Sequence, residues 1–121
     1  MGTGLPGGSN IFQYVSKTLI GVLDWGMDAQ QATSMVDFGA GNPATTHVGG
    51  EHPSMDVSNG GANDPLITGL RAPGHTVTGA AQSSGTSTIV RISGDNGRPA
   101  WAGGADLRRE GLVLGDSYRA R

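Results

Sequence analysis

The chain has 121 residues, a formal net charge of −2 and a pI near 5.8. That is the length of one small domain, and it lacks the basic footprint of a nucleic-acid binder. With no cysteine it has neither disulfides nor a thiolate metal site, and no run reaches the apolar length of a membrane span. Glycine is the unusual number, 22 residues, while 15% of the chain is charged and 5% aromatic. The composition describes a loop-rich globular piece with close backbone approaches and a thin core, and therefore marginal stability on its own.

The start, Gly4-Leu5-Pro6-Gly7-Gly8-Ser9-Asn10-Ile11, puts paired glycines directly before an apolar helix pattern. Glycines let backbone N–H groups approach a ligand, and a helix N-terminus behind them adds free N–H groups and positive potential. With Ser9 as cap, Ile11, Phe12, Val15, Leu19, Val22 and Leu23 recur at helical spacing, predicting a helix from Ser9 to Trp25 with that face in the core. Gly26 stops it. Asp28 and Gln31 have the spacing of a capping box for a second, short helix. Residues 39–63, with six glycines and two prolines, read as a long loop or one poorly marked strand near Thr45–Val48. Asp64-Pro65 caps a third helix carrying Leu66, Ile67 and Leu70. His75–Ala80 and the β-branched Thr86–Ile92 are strands, Ser93–Gly97 a hairpin turn, and Arg98–Ala102 the partner strand. The class is α+β, helices first and then antiparallel strands.

Four segments resemble the C-terminal half of the small subunit of the γ-glutamyltransferases (γ-glutamyltranspeptidases): Leu5–Ile11, Val22–Ala32 with its Leu23-Asp24-Trp25-Gly26-Met27 core, Gly74-His75-Thr76-Val77, and Ala102-Gly103-Gly104-Ala105-Asp106-Leu107-Arg108-Arg109-Glu110-Gly111, where Leu107 replaces the family's proline. The resemblance implies the C-terminal part of an N-terminal-nucleophile hydrolase with an αββα sandwich, forming a single incomplete domain over residues 1–121. It implies an enzyme that moves the γ-glutamyl group of glutathione and related amides, through an acyl-enzyme on an N-terminal Thr, to water or to an amino acid or peptide. Gly7 and Gly8 would be the backbone oxyanion hole, with no metal and no cofactor. The nucleophile and the groups that grip the substrate's α-amino and α-carboxyl ends lie upstream in the family, so the isolated chain is expected to be inactive and to need that upstream part, the large subunit and the first half of the small one. A periplasmic or secreted location follows from the resemblance alone. The alternatives are part of a cephalosporin- or glutaryl-type acylase of the same fold, or a non-catalytic remnant.

Other motifs have plainer readings. Gly2–Gly7 fits G-x-G-x-x-G but has no preceding strand in the sequence and no acid on a following one. Thr45-Thr46-His47 matches the family's nucleophile stretch but runs into Val48-Gly49-Gly50-Glu51-His52-Pro53, read as unfit for a central strand. His47, Glu51 and His52 lack a metal-binding spacing and are expected to be solvated loop polars. His75 is expected to be structural, Trp25 and Trp101 core or subdomain contacts, and Asp106 with Arg108 and Arg109 a surface ion pair at the C-terminal turn.

Overall fold

A computed structural model describes residues 1–5, 8–40, 44–82 and 84–115. Strand β1 (Gly2–Gly4) leads through a 3₁₀ turn (Gly8–Asn10) into α1 (Ile11–Leu23) and α2 (Ala29–Ser34). Strands β2 (Phe38–Ala40) and β3 (Thr46–Gly49), a second 3₁₀ turn and α3 (Pro65–Arg71) follow. Strands β4 (Val77–Ala80), β5 (Ser87–Ser93) and β6 (Pro99–Ala105) complete the α+β chain. One sheet has the order β1-β5-β6 and is antiparallel throughout. The other has the order β2-β3-β4, with β2–β3 antiparallel and β3–β4 parallel.

Several local expectations hold. Asp28 accepts from the Gln31 N–H at 2.7 Å and the Gln31 side chain accepts from the Asp28 N–H at 3.0 Å, so the capping box starts α2. Asp64 caps α3 by accepting from Ile67 N–H at 2.9 Å, with Pro65 in the first turn. The Asp95–Gly97 turn closes the β5–β6 hairpin, with Asn96 and Gly97 both at positive φ.

Three expectations are corrected. The start of the chain forms a strand, because Gly2–Gly4 adds to the open edge of β5. The described part of residues 39–63 is mostly loop and turn, as expected, and the poorly marked strand expected near Thr45–Val48 forms as Thr46–Gly49. That strand is central in its sheet, pairing with β2 on one side and β4 on the other, so neighbours on both sides satisfy its backbone. Its pairing with β4 also breaks the all-antiparallel expectation, because α3 supplies the crossover that parallel strands need. Finally, α1 starts at Ile11 with Asn10 in the cap position and no side-chain cap hydrogen bond, so Ser9 is not the cap.

The largest correction concerns which side of α1 faces inward. Its buried residues are Tyr14, Lys17, Thr18 and Gly21, whereas Phe12 is 65% and Leu23 69% exposed. The Phe12 and Leu23 edge of the apolar stripe points outward, Val15, Leu19 and Val22 are half-buried, and the side bearing Tyr14, Lys17, Thr18 and Gly21 packs inward. Gly21 makes this possible: a Cβ there would come 3.1 Å from the Ala32 Cβ, so α1 and α2 meet at close range. Trp25 and Trp101 are likewise exposed rather than core.

The glycines of the Gly103-Gly104 pair have separate jobs. A Cβ at Gly104 would lie 2.3 Å from the Ala29 carbonyl oxygen, so α2 rests directly on β6. Gln30 then completes the strand edge, donating to the Ala105 carbonyl at 2.8 Å and accepting its N–H at 3.1 Å. A Cβ at Gly103 would meet Val113, which the C-terminal turn lays over the opposite face. A small separate core of Val48, Ile67 and Val77, with Met55 and Leu70 against it, joins α3 to the second sheet. Gly61, at φ +75, touches Ile67 so closely that a Cβ would sit 2.4 Å from its Cδ1.

These contacts separate two glycine substitutions. Gly61→Ala is expected to lower stability by about 2–4 kcal/mol, through overpacking and left-handed strain. Gly69→Ala, in α3 with open space around it, is expected to raise stability by about 0.5–1 kcal/mol. Urea titrations of the two variants measure both.

Candidate active-site segment and the charge network behind it

Of the two glycines expected to form the oxyanion hole, Gly7 lies outside the described residues. Gly8 is exposed at φ +60 at the head of the 3₁₀ turn, and a Cβ there would meet nothing within 4 Å. The left-handed conformation, not crowding, is what calls for glycine here. The turn delivers the chain into α1, whose first N–H groups receive no side-chain cap. Gly8 therefore stands one short turn ahead of the positive end of the 13-residue α1.

Behind this segment lies a buried network that links distant parts of the chain. Lys17, on α1 about 10 Å along the axis from Asn10, donates to Asp37 Oδ1 at 2.8 Å and to the Met35 carbonyl at 3.0 Å, and both side chains of the pair are 0% exposed. The Arg108 guanidinium donates to both Asp106 oxygens, at 2.8 and 2.9 Å, to Glu51 Oε1 at 3.0 Å and to the Met35 carbonyl at 2.7 Å. Its Nη1 also lies 3.4 Å from Asp37 Oδ2, the buried oxygen of Asp37 that has no hydrogen bond. Ser84 donates to Asp106 Oδ2, and Glu51 Oε2 accepts the Gln82 N–H at 2.8 Å. Asp106 and Arg108 thus form a buried junction, not the expected surface ion pair. The reason is that the chain folds residues 35–37, 51 and 84 around them.

Burial pushes the Lys17 ammonium below its ordinary pKa, with Asp37 opposing the shift through its hydrogen bond and charge. Burial alone would raise the Asp106 carboxyl. The Ser84 hydrogen bond, the Arg108 N–H and the Arg108 charge outweigh it and hold the pKa below the usual carboxylate range. Asp64 is also lowered, by the N–H groups of Ile67 and Asp56.

The remaining candidates have structural partners. His47 bonds Thr78 Oγ1 at 2.8 Å across β3 and β4. His52 bonds the Ser34 carbonyl at 2.8 Å through Nε2 and Ser54 through Nδ1. Glu51 belongs to Arg108. The expectation of solvated loop polars is corrected for His47, which lies on β3; Glu51 and His52 lie on the turn after it, as expected, each with a hydrogen-bond partner. His75 is exposed just ahead of β4. Among the described residues no group of three or more His, Asp or Glu is placed to hold a metal, and no helix is long and apolar enough to cross a membrane. Lys17, Asp37 and Ser84 had no signal in the sequence, because a buried ion pair has no period and no motif.

The gamma-glutamyltranspeptidase family model matches residues 1–115, and the chain belongs to that family. No curated protein matches it at the level of sequence. Among solved structures it resembles the Pseudomonas nitroreducens gamma-glutamyltranspeptidase complexed with L-DON, at TM-score 0.71 and 19% identity over 95% of this chain and 54% of that one. It also resembles the T380A mutant of the Helicobacter pylori enzyme, at TM-score 0.69 and 21% identity over 88% and 53%. The cephalosporin acylase of Bacillus halodurans matches at TM-score 0.70 and 20% identity, over 93% of this chain and 19% of that one. The fold is that of these N-terminal-nucleophile hydrolases, and the chain spans about half the length of the gamma-glutamyltranspeptidase chains it matches.

Two outcomes follow for the network. Lys17→Met leaves Asp37 buried with less compensation and is expected to cost about 3–5 kcal/mol, while Lys17→Met combined with Asp37→Leu recovers most of that loss. A double-mutant cycle in urea measures the coupling. A carboxyl whose folded pKa lies below its unfolded value stabilises fully above the unfolded value and loses that contribution as pH falls through the folded one. Stability is therefore expected to drop below about pH 4, and Asp106→Asn and Asp64→Asn should each flatten that acid limb in pH-resolved denaturation.

Proposed function

We propose that this chain is the oxyanion-hole segment of a γ-glutamyltransferase, with the backbone N–H groups of Gly7 and Gly8 as its donors. The observation that carries the reading is Gly8 at positive φ ahead of an uncapped α1, inside a family match over residues 1–115. The substrate is a γ-glutamyl amide such as glutathione. In the family an N-terminal Thr attacks the γ-carbonyl, its proton passes by way of the α-amine to the leaving amine, and the acyl-enzyme is released to water or to an amino acid or peptide. The contribution of this chain is electrostatic. Its N–H groups meet the carbonyl oxygen as it becomes an oxyanion, and the α1 terminus favours the same charge. Water exclusion and substrate grip belong to the upstream part of the enzyme, which supplies the Thr. Residues 1–121 are one incomplete domain.

A second reading draws on the cephalosporin acylase likeness. The same donors serve any amide whose carbonyl reaches them, so the parent would be an acylase. Assaying a γ-glutamyl anilide and a glutaryl anilide side by side separates the two.

The 121-residue chain alone is expected to give no γ-glutamyl anilide turnover above background, and clear turnover by the pure chain would sink the reading. In the enzyme completed by its upstream part, Gly8→Ala is expected to lower kcat about tenfold with little change in KM, since left-handed strain of about 1–2 kcal/mol moves a donor used mainly in the transition state.

A further inference from the structure

Tyr14 ends the first turn of α1 and is among the largest buried side chains, only 2% exposed. A phenylalanine would fill the same space. A buried hydroxyl costs free energy unless it is hydrogen-bonded, and this one donates to Gln82 Oε1 at 2.7 Å. Gln82 is itself held. Its N–H donates to Glu51 Oε2 at 2.8 Å, and Glu51 Oε1 accepts from Arg108 Nε at 3.0 Å. A chain of hydrogen bonds that starts at the Arg108 junction therefore ends on the first turn of α1. Gln13 and Lys17 tie the helix to residues 35–40. Tyr14 ties it to residue 82 instead.

Toward the N-terminus, Tyr14 reaches the Gly8 turn. Asn10 closes the 3₁₀ turn that Gly8 opens, and it stands one helical turn before Tyr14. The Asn10 backbone, at φ −94 and ψ 0, is not extended as a side-chain cap requires, and its side chain makes no cap hydrogen bond. That side chain engages the phenol. Burial pushes the Tyr14 pKa above its ordinary value, and the hydrogen bond with Asn10 opposes the rise. The phenol therefore stays protonated at neutral pH and serves as a donor to Gln82.

We propose that Tyr14 is a positioning residue for the Gly8 turn: its hydroxyl, fixed by Gln82, holds Asn10 and with it the direction in which the turn presents its backbone. This rests on the γ-glutamyltransferase reading above. Tyr14 is buried, so it acts through Asn10 and not on the substrate. A donor used mainly in the transition state is sensitive to small displacements that leave substrate binding unchanged.

The test uses the enzyme completed by its upstream part, as Tyr14→Phe, Gln82→Met and the double variant. Tyr14→Phe keeps the buried ring and removes the donor. Gln82→Met keeps the length of the side chain and removes the acceptor. Each is expected to lower kcat for a γ-glutamyl anilide about fivefold, the worth of one neutral hydrogen bond, with KM within about twofold of the parent. The double variant is expected to fall about fivefold as well, not the roughly 25-fold of independent sites. Hydrogen exchange read by mass spectrometry is expected to quicken over residues 8–14 in all three variants and to stay unchanged over α3. A tyrosine that only packs would change neither kcat nor that local exchange when replaced by phenylalanine.

Unchanged kcat in Tyr14→Phe beside an active parent overturns the proposal, and so does additivity in the double variant. Faster exchange over α3 as well makes Tyr14 a general stability element and also overturns it. Gln82→Met, at a half-buried position, decides the matter where Tyr14→Phe does not fold. An inactive parent whose variants still loosen residues 8–14 overturns the γ-glutamyltransferase reading and supports the positioning contact. An inactive parent with unchanged exchange overturns both.

Discussion

The Arg108 guanidinium joins residues that the sequence places far apart. It holds Asp106 two positions away, Glu51 just after β3, and the Met35 carbonyl at the end of α2. Through Asp37 it meets Lys17, which fixes α1. Four segments are therefore located by two cations and three carboxylates, four of these five groups having side chains no more than 12% exposed. Such a network adds little net energy, because desolvation offsets much of the attraction. What its geometry fixes is register: it ties α1, the Met35–Asp37 segment, Glu51 and the Asp106–Arg108 turn to one another through paired charges.

That registration reaches the candidate site through α1. Lys17 sets the helix against the Met35–Asp37 segment, Gly21 lets it lie close to Ala32, and Gln13 donates to the Ala40 carbonyl at 3.1 Å. The helix carries the Gly8 turn at its N-terminus, so whatever places α1 places the proposed donors. The apolar core has the smaller role. Val48, Ile67 and Val77 secure α3 against β3 and β4, away from this axis.

Short-range features were legible in the sequence. The Asp28–Gln31 box, the Asp64-Pro65 start and the Ser93–Gly97 turn each rest on a few adjacent residues, whose own chemistry decides the local backbone. The β-branched run at Thr86–Ile92 was readable as a strand for the same reason. The candidate site was legible only through resemblance, because two glycines before a helix are, in themselves, an ordinary turn. Strand β1 was not legible: in Gly2-Thr3-Gly4 two glycines dilute the strand preference of one threonine, and the segment pairs as a strand where β5 offers an edge, with a Thr3–Thr88 hydroxyl pair at 2.9 Å. Strand β3 was obscured by Gly49 and Gly50, which a central position tolerates once neighbours satisfy the backbone on both sides.

The amino-acid sequence by itself determined the elements with local causes, the amphipathic character of α1 and the family to which the glycine pairs belong. Only the tertiary structure decided which side of α1 is buried, that Asp106 and Arg108 lie inside, and that Lys17 meets Asp37. The physical reason is the range of the interactions involved. Caps, turns and periodicity act between residues a few positions apart, whereas a buried ion pair and the choice of a helix's inward face are settled by what the rest of the chain brings against them.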